Sequence, residues 1–141
     1  MTQVQGFARI FGIIYIIVGI LGLIPGIVQP LADTTGLSVT AGYGRLLGLF
    51  PVNLIHNLVH IGVGAWGIWA ARNFLASSNF AKANAILFGL LAVLGLIPAT
   101  NTLFGLAPLY GIDVVLHALT AAVAAYFGFS LTRRETHAPT F

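Results

Sequence analysis

The stretch FARIFGIIYIIVGILGLIPGI, Phe7–Ile27, decides the fold. Its only charge is Arg9, at the start, and a proline closes the apolar run at Pro25. An α-helix rises about 1.5 Å per residue, so about 20 such residues cross the roughly 30 Å apolar core of a bilayer. The stretch also has a partner downstream, FAKANAILFGLLAVLGLIPA at Phe80–Ala99. FAR at Phe7–Arg9 aligns with FAK at Phe80–Lys82, and LGLIP at Leu21–Pro25 recurs unchanged at Leu94–Pro98, both at an offset of 73.

Two more apolar runs complete the pattern, at Val52–Arg72 and Gly111–Leu131. GLFP ending at Pro51 matches GLAP ending at Pro108 at an offset of 57, which also carries His60 onto His117 and His56 onto Asp113. A longer first connection accounts for the difference between the two offsets. The reading is one domain, 1–141, made of two tandem two-helix repeats at about 7–72 and 80–131, with a polar tail at 132–141. Two-span units share one orientation, so their pseudo-twofold axis is expected along the membrane normal. The first span has a counterpart in the third and is therefore expected to be retained, not cleaved as a signal peptide.

Composition fits this architecture. Of 141 residues, 58% are hydrophobic and only 6% charged, with a mean hydropathy of +0.98, against roughly 25% charged in soluble domains. Backbone groups cannot stay unpaired in lipid, so the fold class is all-α membrane, a four-transmembrane-helix bundle. Four spans leave no length for a soluble catalytic domain. No phosphate-binding loop, dinucleotide fingerprint, nucleophile elbow or H-E-x-x-H motif occurs, and the chain is read as not an enzyme. The net charge of +3 sits at helix ends, where topology explains it, so nucleic acid is not an expected partner. Cysteine is absent, which excludes disulfides and thiolate ligands.

Arg9, Arg72 and Lys82, with Arg133 and Arg134 after the last span, place both termini in the cytoplasm by the positive-inside rule; Arg45 is the exception. The connections Gly26–Phe50 and Thr100–Tyr110 then lie on the outer face, the first expected to hold a short interfacial helix. Gly62, Gly64, Gly67 and the run Ala121–Ala125 predict close helix contacts. Trp66, Trp69, Tyr110 and Tyr126 read as interface anchors or packing, and His137 as a solvated tail residue.

The candidate site is polar. Asn53, His56, Asn57 and His60 follow an i, i+3, i+4, i+7 pattern on the second span, and Asp113, His117 and Thr120 share a face of the fourth. The repeat puts His60 and His117 at equal depth, with His56 and Asp113 one turn nearer the surface. Three readings stay open. His60 and His117 are a plausible axial pair for a tetrapyrrole, haem b or chlorophyll. His56, His60, Asp113 and His117 offer three imidazoles and a carboxylate to a divalent metal such as zinc, iron or manganese. The third reading is structural: hydrogen bonds across helices, with Asp113 fixing the His56 tautomer or capping the fourth helix.

The segments GLFPVNLIHNLVHIGVGAWGIWAAR (Gly48–Arg72) and LFGLAPLYGIDVVLHALTAA (Leu103–Ala122) resemble the DUF4383 family. The resemblance runs from Phe7 to about Leu131, is most specific at FPVNLIHNLVH, and rests on Pro51, Asn53, His56, Asn57, His60, Asp113 and His117. It implies a small bacterial four-helix protein of the inner or plasma membrane, or of the thylakoid in a cyanobacterium, with no established activity. The expected role is a non-enzymatic accessory or assembly subunit of a larger membrane complex. Its neighbours are the lipid bilayer and other integral membrane proteins, with a cofactor held at the histidine stripe. The alternatives are a haem-, chlorophyll- or metal-binding membrane protein in its own right, and a small-solute transporter or channel.

Overall fold

A computed structural model describes residues 1–132; the expectations for Arg133, Arg134, His137 and the tail beyond Thr132 lie outside the described residues. Four helices carry the fold: α1 (Gln3–Leu21), α2 (Leu54–Ala70), α3 (Phe74–Leu96) and α4 (Ile112–Ala125), the last continued by a π-helical segment, Tyr126–Leu131. Local chemistry sets their ends. Thr2 and Gln5 form a capping box on α1, each side chain accepting from the other's backbone N–H. Asn53 caps α2 by accepting from the His56 N–H at 2.9 Å, and Asn73 caps α3 by accepting from Ala76 at 2.8 Å. Helix α4 starts differently, from Gly111 at φ +73° with no side-chain cap, so Asp113 does not close its end.

Among the described residues three helical segments are long and apolar enough to cross a membrane: Gln3–Leu21, Phe74–Leu96 and Ile112–Leu131. Helix α2 has 17 residues, or about 26 Å at 1.5 Å each. It begins later than the apolar pattern suggests because Phe50–Val52 pairs as a strand and Asn53 then caps the helix.

Helix α1 packs along α2, and α3 along α4; the two hairpins meet mainly through α1 against α3. Glycines make the first pairing close. A Cβ on Gly12 would lie 2.7 Å from the Gly64 carbonyl oxygen and 2.8 Å from the Ile68 nitrogen, and one on Gly67 would lie 2.8 Å from the Ala8 oxygen. The expectation for Gly62 is not met, because its missing side chain faces open space, away from α1. Gly22 abuts the Asn57 side chain, and Gly95 abuts Val114 and Leu109. Between the hairpins lie Phe7, Ala8, Tyr15, Phe80, Ala81 and Phe88, all buried. The outward faces stay apolar, with Ile10, Ile13, Ile14, Ile17 and Ile20 exposed on α1 alone, a surface suited to lipid. Trp66, Trp69 and Tyr126 are also exposed.

Both long connections gather at one end of the bundle. The first contains three short antiparallel strands, β1 (Val28–Pro30), β2 (Gly44–Leu46) and β3 (Phe50–Val52), in the order β1-β2-β3. The expected interfacial helix does not form there. Pro25, Pro30, Gly36, Gly42, Gly44 and Gly48 break the segment too often for a helix, and Gly44 lets β2 sit against the Gln29 backbone where a Cβ would collide. Asn53 ties the assembly together by donating to the carbonyls of Val39 (2.9 Å) and Leu106 (2.8 Å), one from each connection. Ser38 and Val39 donate to the Gly105 carbonyl, and Tyr43 and Tyr110 hydrogen-bond through their hydroxyls. The two connections thus form one cap over the bundle.

Candidate functional site

Under this cap the first turn of α2 faces the start of α4. The Asn53 cap fixes His56 in that turn, while Asp113 and His117 stand four residues apart on one face of α4. One donor atom from each of His56, Asp113 and His117 lies within 4.8 Å of the other two. His117 Nδ1 is 3.5 Å from Asp113 Oδ2, and the His56 and His117 rings are 6.2 Å apart with planes 21° from parallel. All three residues are at least nine-tenths buried, with exposures of 7%, 2% and 3%.

Their polar atoms are poorly served. His56 Nδ1, Asp113 Oδ2 and His117 Nδ1 are buried, and none has a hydrogen-bond partner. A buried polar atom left without a hydrogen bond costs about 1–3 kcal/mol, more when charged, and all three belong to the residues whose donor atoms converge.

The rest of the polar stripe divides by function. The His60 ring stacks on His56 with centroids 4.7 Å apart, and its Nδ1 lies 3.0 Å from the His56 carbonyl oxygen. His60 is outside the convergent set, so the structure gathers two imidazoles and a carboxylate in place of three and one. Asn53 and Asn57 serve packing: Asn53 holds the cap, and Asn57 donates to the Gly22 carbonyl at 2.7 Å, closing the end of α1. Thr120 is half-buried on α4 beyond His117. Asp113 is placed beside His117 of its own helix, so the expected link from Asp113 to the His56 tautomer is not made by a hydrogen bond.

Next to the cluster is a cavity of about 250 Å³, walled by Val59 and Val63 of α2, Leu87 and Leu91 of α3, and Leu103 and Leu109 of the second connection. His56, His60 and His117 also line it, together with Phe88 and with Tyr15 from α1. Sites for drug-sized ligands run to roughly 300–1,000 Å³, and this cavity lies just below that range.

Two buried polar residues escaped the sequence reading. Tyr15 is 6% exposed with an unpartnered hydroxyl, and Asn84 of α3 donates to the Phe80 carbonyl at 2.8 Å while its Oδ1 is buried without a partner. The available signal was a polar atom inside an apolar run, the same signal that marked the histidines.

A family model described as "Domain of unknown function (DUF4383)" matches residues 5–130. No curated protein and no solved structure matches the chain.

Proposed function

The chain belongs to the DUF4383 family, and from that premise we propose a four-span integral membrane protein that holds a divalent transition-metal ion through His56, Asp113 and His117. The observation that carries this reading is the convergence of one donor atom from each of three buried residues, His56, Asp113 and His117, within 4.8 Å of one another. One ion would satisfy all three. Two imidazoles and one carboxylate suit zinc, iron or manganese and leave a coordination position open. His56 and His117 also line the cavity, so that position would adjoin it. Helix α2 and α4 supply the ligands from separate hairpins, so the ion would cross-link the two halves of the bundle.

The membrane reading extends to all four helices. Helix α2 is short, but it packs along α1 and carries Trp66 and Trp69 near the end away from the cap. Arg9, Arg72 and Lys82 cluster at that same end of the helices, which supports cytoplasmic termini and an outward-facing cap. The duplicated architecture draws support from equivalent contacts: the offset of 73 takes Gly22 to Gly95, the offset of 57 takes Asn57 to Val114, and Gly22 meets Asn57 as Gly95 meets Val114. The role is that of a non-enzymatic accessory subunit within a bacterial membrane, its apolar belt shared between lipid and other integral membrane proteins.

Metal analysis of protein purified without chelator, and again after loading with zinc, iron or manganese, tests the ion. About one ion per chain is expected in the wild type, with loss in Asp113→Asn and His117→Ala and retention in His60→Ala. A folded wild-type protein that stays metal-free after loading with each of these ions would overturn the reading. Affinity purification from native membranes tests the accessory role, and recovery as a free monomer without a partner complex would count against it.

A further inference from the structure

The cavity beside the cluster bears on what the ion does. On the metal reading above, we infer that the ion is ferrous iron and that its open position takes a neutral diatomic gas of the dioxygen and nitric oxide type, which reaches it from the bilayer through the cavity.

Of the three donor residues, His56 and His117 line the cavity and Asp113 does not, which leaves the cavity on the imidazole side of the set. Each of these two rings is backed by another ring of the cavity wall. His60 stacks on His56 with centroids 4.7 Å apart, and Phe88 lies 5.3 Å from His117. The rest of the wall is largely aliphatic, with no Lys, Arg, Ser, Thr, Asn or Gln, and polar surface is nearly absent from it. Val59, one of its residues, is 50% exposed on the apolar outer face of α2, so the cavity borders the lipid.

Such a wall is selective about what sits on the ion. A ligand there needs a lone pair for the metal and must do without a hydrogen-bond or charge partner on the cavity side. Water is a poor occupant, because it needs roughly two to four polar partners and apolar cavities stay dry. An anion would lie against hydrocarbon with no counter-charge on that side. Dioxygen and nitric oxide meet both requirements: each coordinates through one end, carries no charge and dissolves better in hydrocarbon than in water. Two imidazoles and a carboxylate with positions left open are also the ligand set of ferrous iron in oxygen-handling sites. Zinc, which has no redox chemistry, holds neither gas.

The test uses the full chain in lipid nanodiscs, stripped with chelator and loaded with ferrous iron in the absence of oxygen. Unbound iron is removed, bound iron is counted by metal analysis, and nitric oxide is added. Ferrous iron that takes it up acquires a half-integer spin and an EPR signal that the ferrous ion alone lacks. The wild type is expected to show one adduct per bound iron. Val63→Phe and Ala107→Phe put a ring into the cavity from α2 and from the second connection. Both should keep their iron and slow adduct formation at least about tenfold, a barrier higher by roughly 1.4 kcal/mol. Air admitted to the ferrous protein separates the two gases. Oxidation to the ferric ion, with one electron passing to dioxygen and superoxide leaving, identifies dioxygen when the same variants slow it. Iron that stays ferrous in air while binding nitric oxide identifies nitric oxide. Bound iron that gives no adduct, or adducts that form equally fast in the wild type and both variants, would overturn the inference and leave the metal site standing. A folded wild type that loads no iron would overturn both.

Discussion

Tyr15 of α1 stacks on Phe88 of α3 with ring centroids 5.4 Å apart and planes 13° from parallel. The pair joins the two hairpins, and the two residues are separated by 73 positions, the offset that relates the first span to the third. Removing a Phe from a soluble core costs about 3–5 kcal/mol. In a bilayer the lost transfer term shrinks because lipid also solvates the ring, so Phe88→Ala should cost about 1–3 kcal/mol, read from thermal unfolding in detergent. Tyr15→Phe should change stability by less than about 1 kcal/mol because its hydroxyl has no partner to lose. A large loss there would mean the hydroxyl is bonded in the membrane.

Two glycines on facing helices predict opposite outcomes for the same chemical change. At Gly12 an added methyl meets backbone atoms of Gly64 and Ile68 that cannot swing aside. Gly12→Ala should force α1 from α2 at a cost of about 1–3 kcal/mol. At Gly62 nothing lies within 4 Å, and Gly62→Ala should stabilise α2 by up to about 1 kcal/mol through helix propensity. Thermal unfolding of the two variants side by side decides the matter, and equal shifts would mean that α1 and α2 are not packed this closely.

Asn53 holds three elements at once, donating to Val39 and Leu106 and accepting from His56. At about 1 kcal/mol for each bond, Asn53→Ala should cost about 2–4 kcal/mol. Hydrogen exchange should quicken at Ser38–Tyr43 and Gly105–Leu109 before it quickens in α1 or α3. Asn53→Asp is the informative companion: it keeps the helix cap but lacks the two donors, so the connections should loosen while α2 stays closed. If both variants exchange like the wild type, the cap is held by other contacts.

The parts of this molecule that sequence made legible are those set by long patterns. Phe7–Ile27 and Phe80–Ala99 announce themselves because a helix in lipid needs about 20 apolar residues, and α1 and α3 form within or across both. The sheet is different. Strands of three residues separated by glycine and proline are too short to show alternation, and their pairing is set by long-range register. The same division holds at the site. Asp113 and His117 could be placed together because four residues on a helix bring side chains onto one face. Which α2 histidine meets them depends on how the two hairpins are rotated about one another, and that rotation brings in His56 and leaves out His60. Adjacent residues on a helix also point about 100° apart, so Asn57 turns to Gly22 while His56 turns to α4. A stripe broad enough to include both was too coarse to distinguish packing from site.

The cap carries a further handle in Tyr43 and Tyr110, whose hydroxyls hydrogen-bond across the two connections. Burial, and after it the bond to Tyr43, hold the Tyr110 phenol above the ordinary tyrosine value of 10.0; the charge of Asp33 adds to this and that of Arg45 opposes it. The folded value therefore lies above the unfolded one. The contribution of the pair to stability is complete below pH 10.0 and falls as pH rises from there through the folded value. In an alkaline absorbance titration, the signal lost in Tyr110→Phe should belong to a group that ionises later than free tyrosine. Tyr43→Phe should move that group towards the ordinary value and quicken exchange across Gly42–Leu46. An unchanged Tyr110 titration in Tyr43→Phe would show that burial alone sets it and that the hydroxyl pair does not latch the cap.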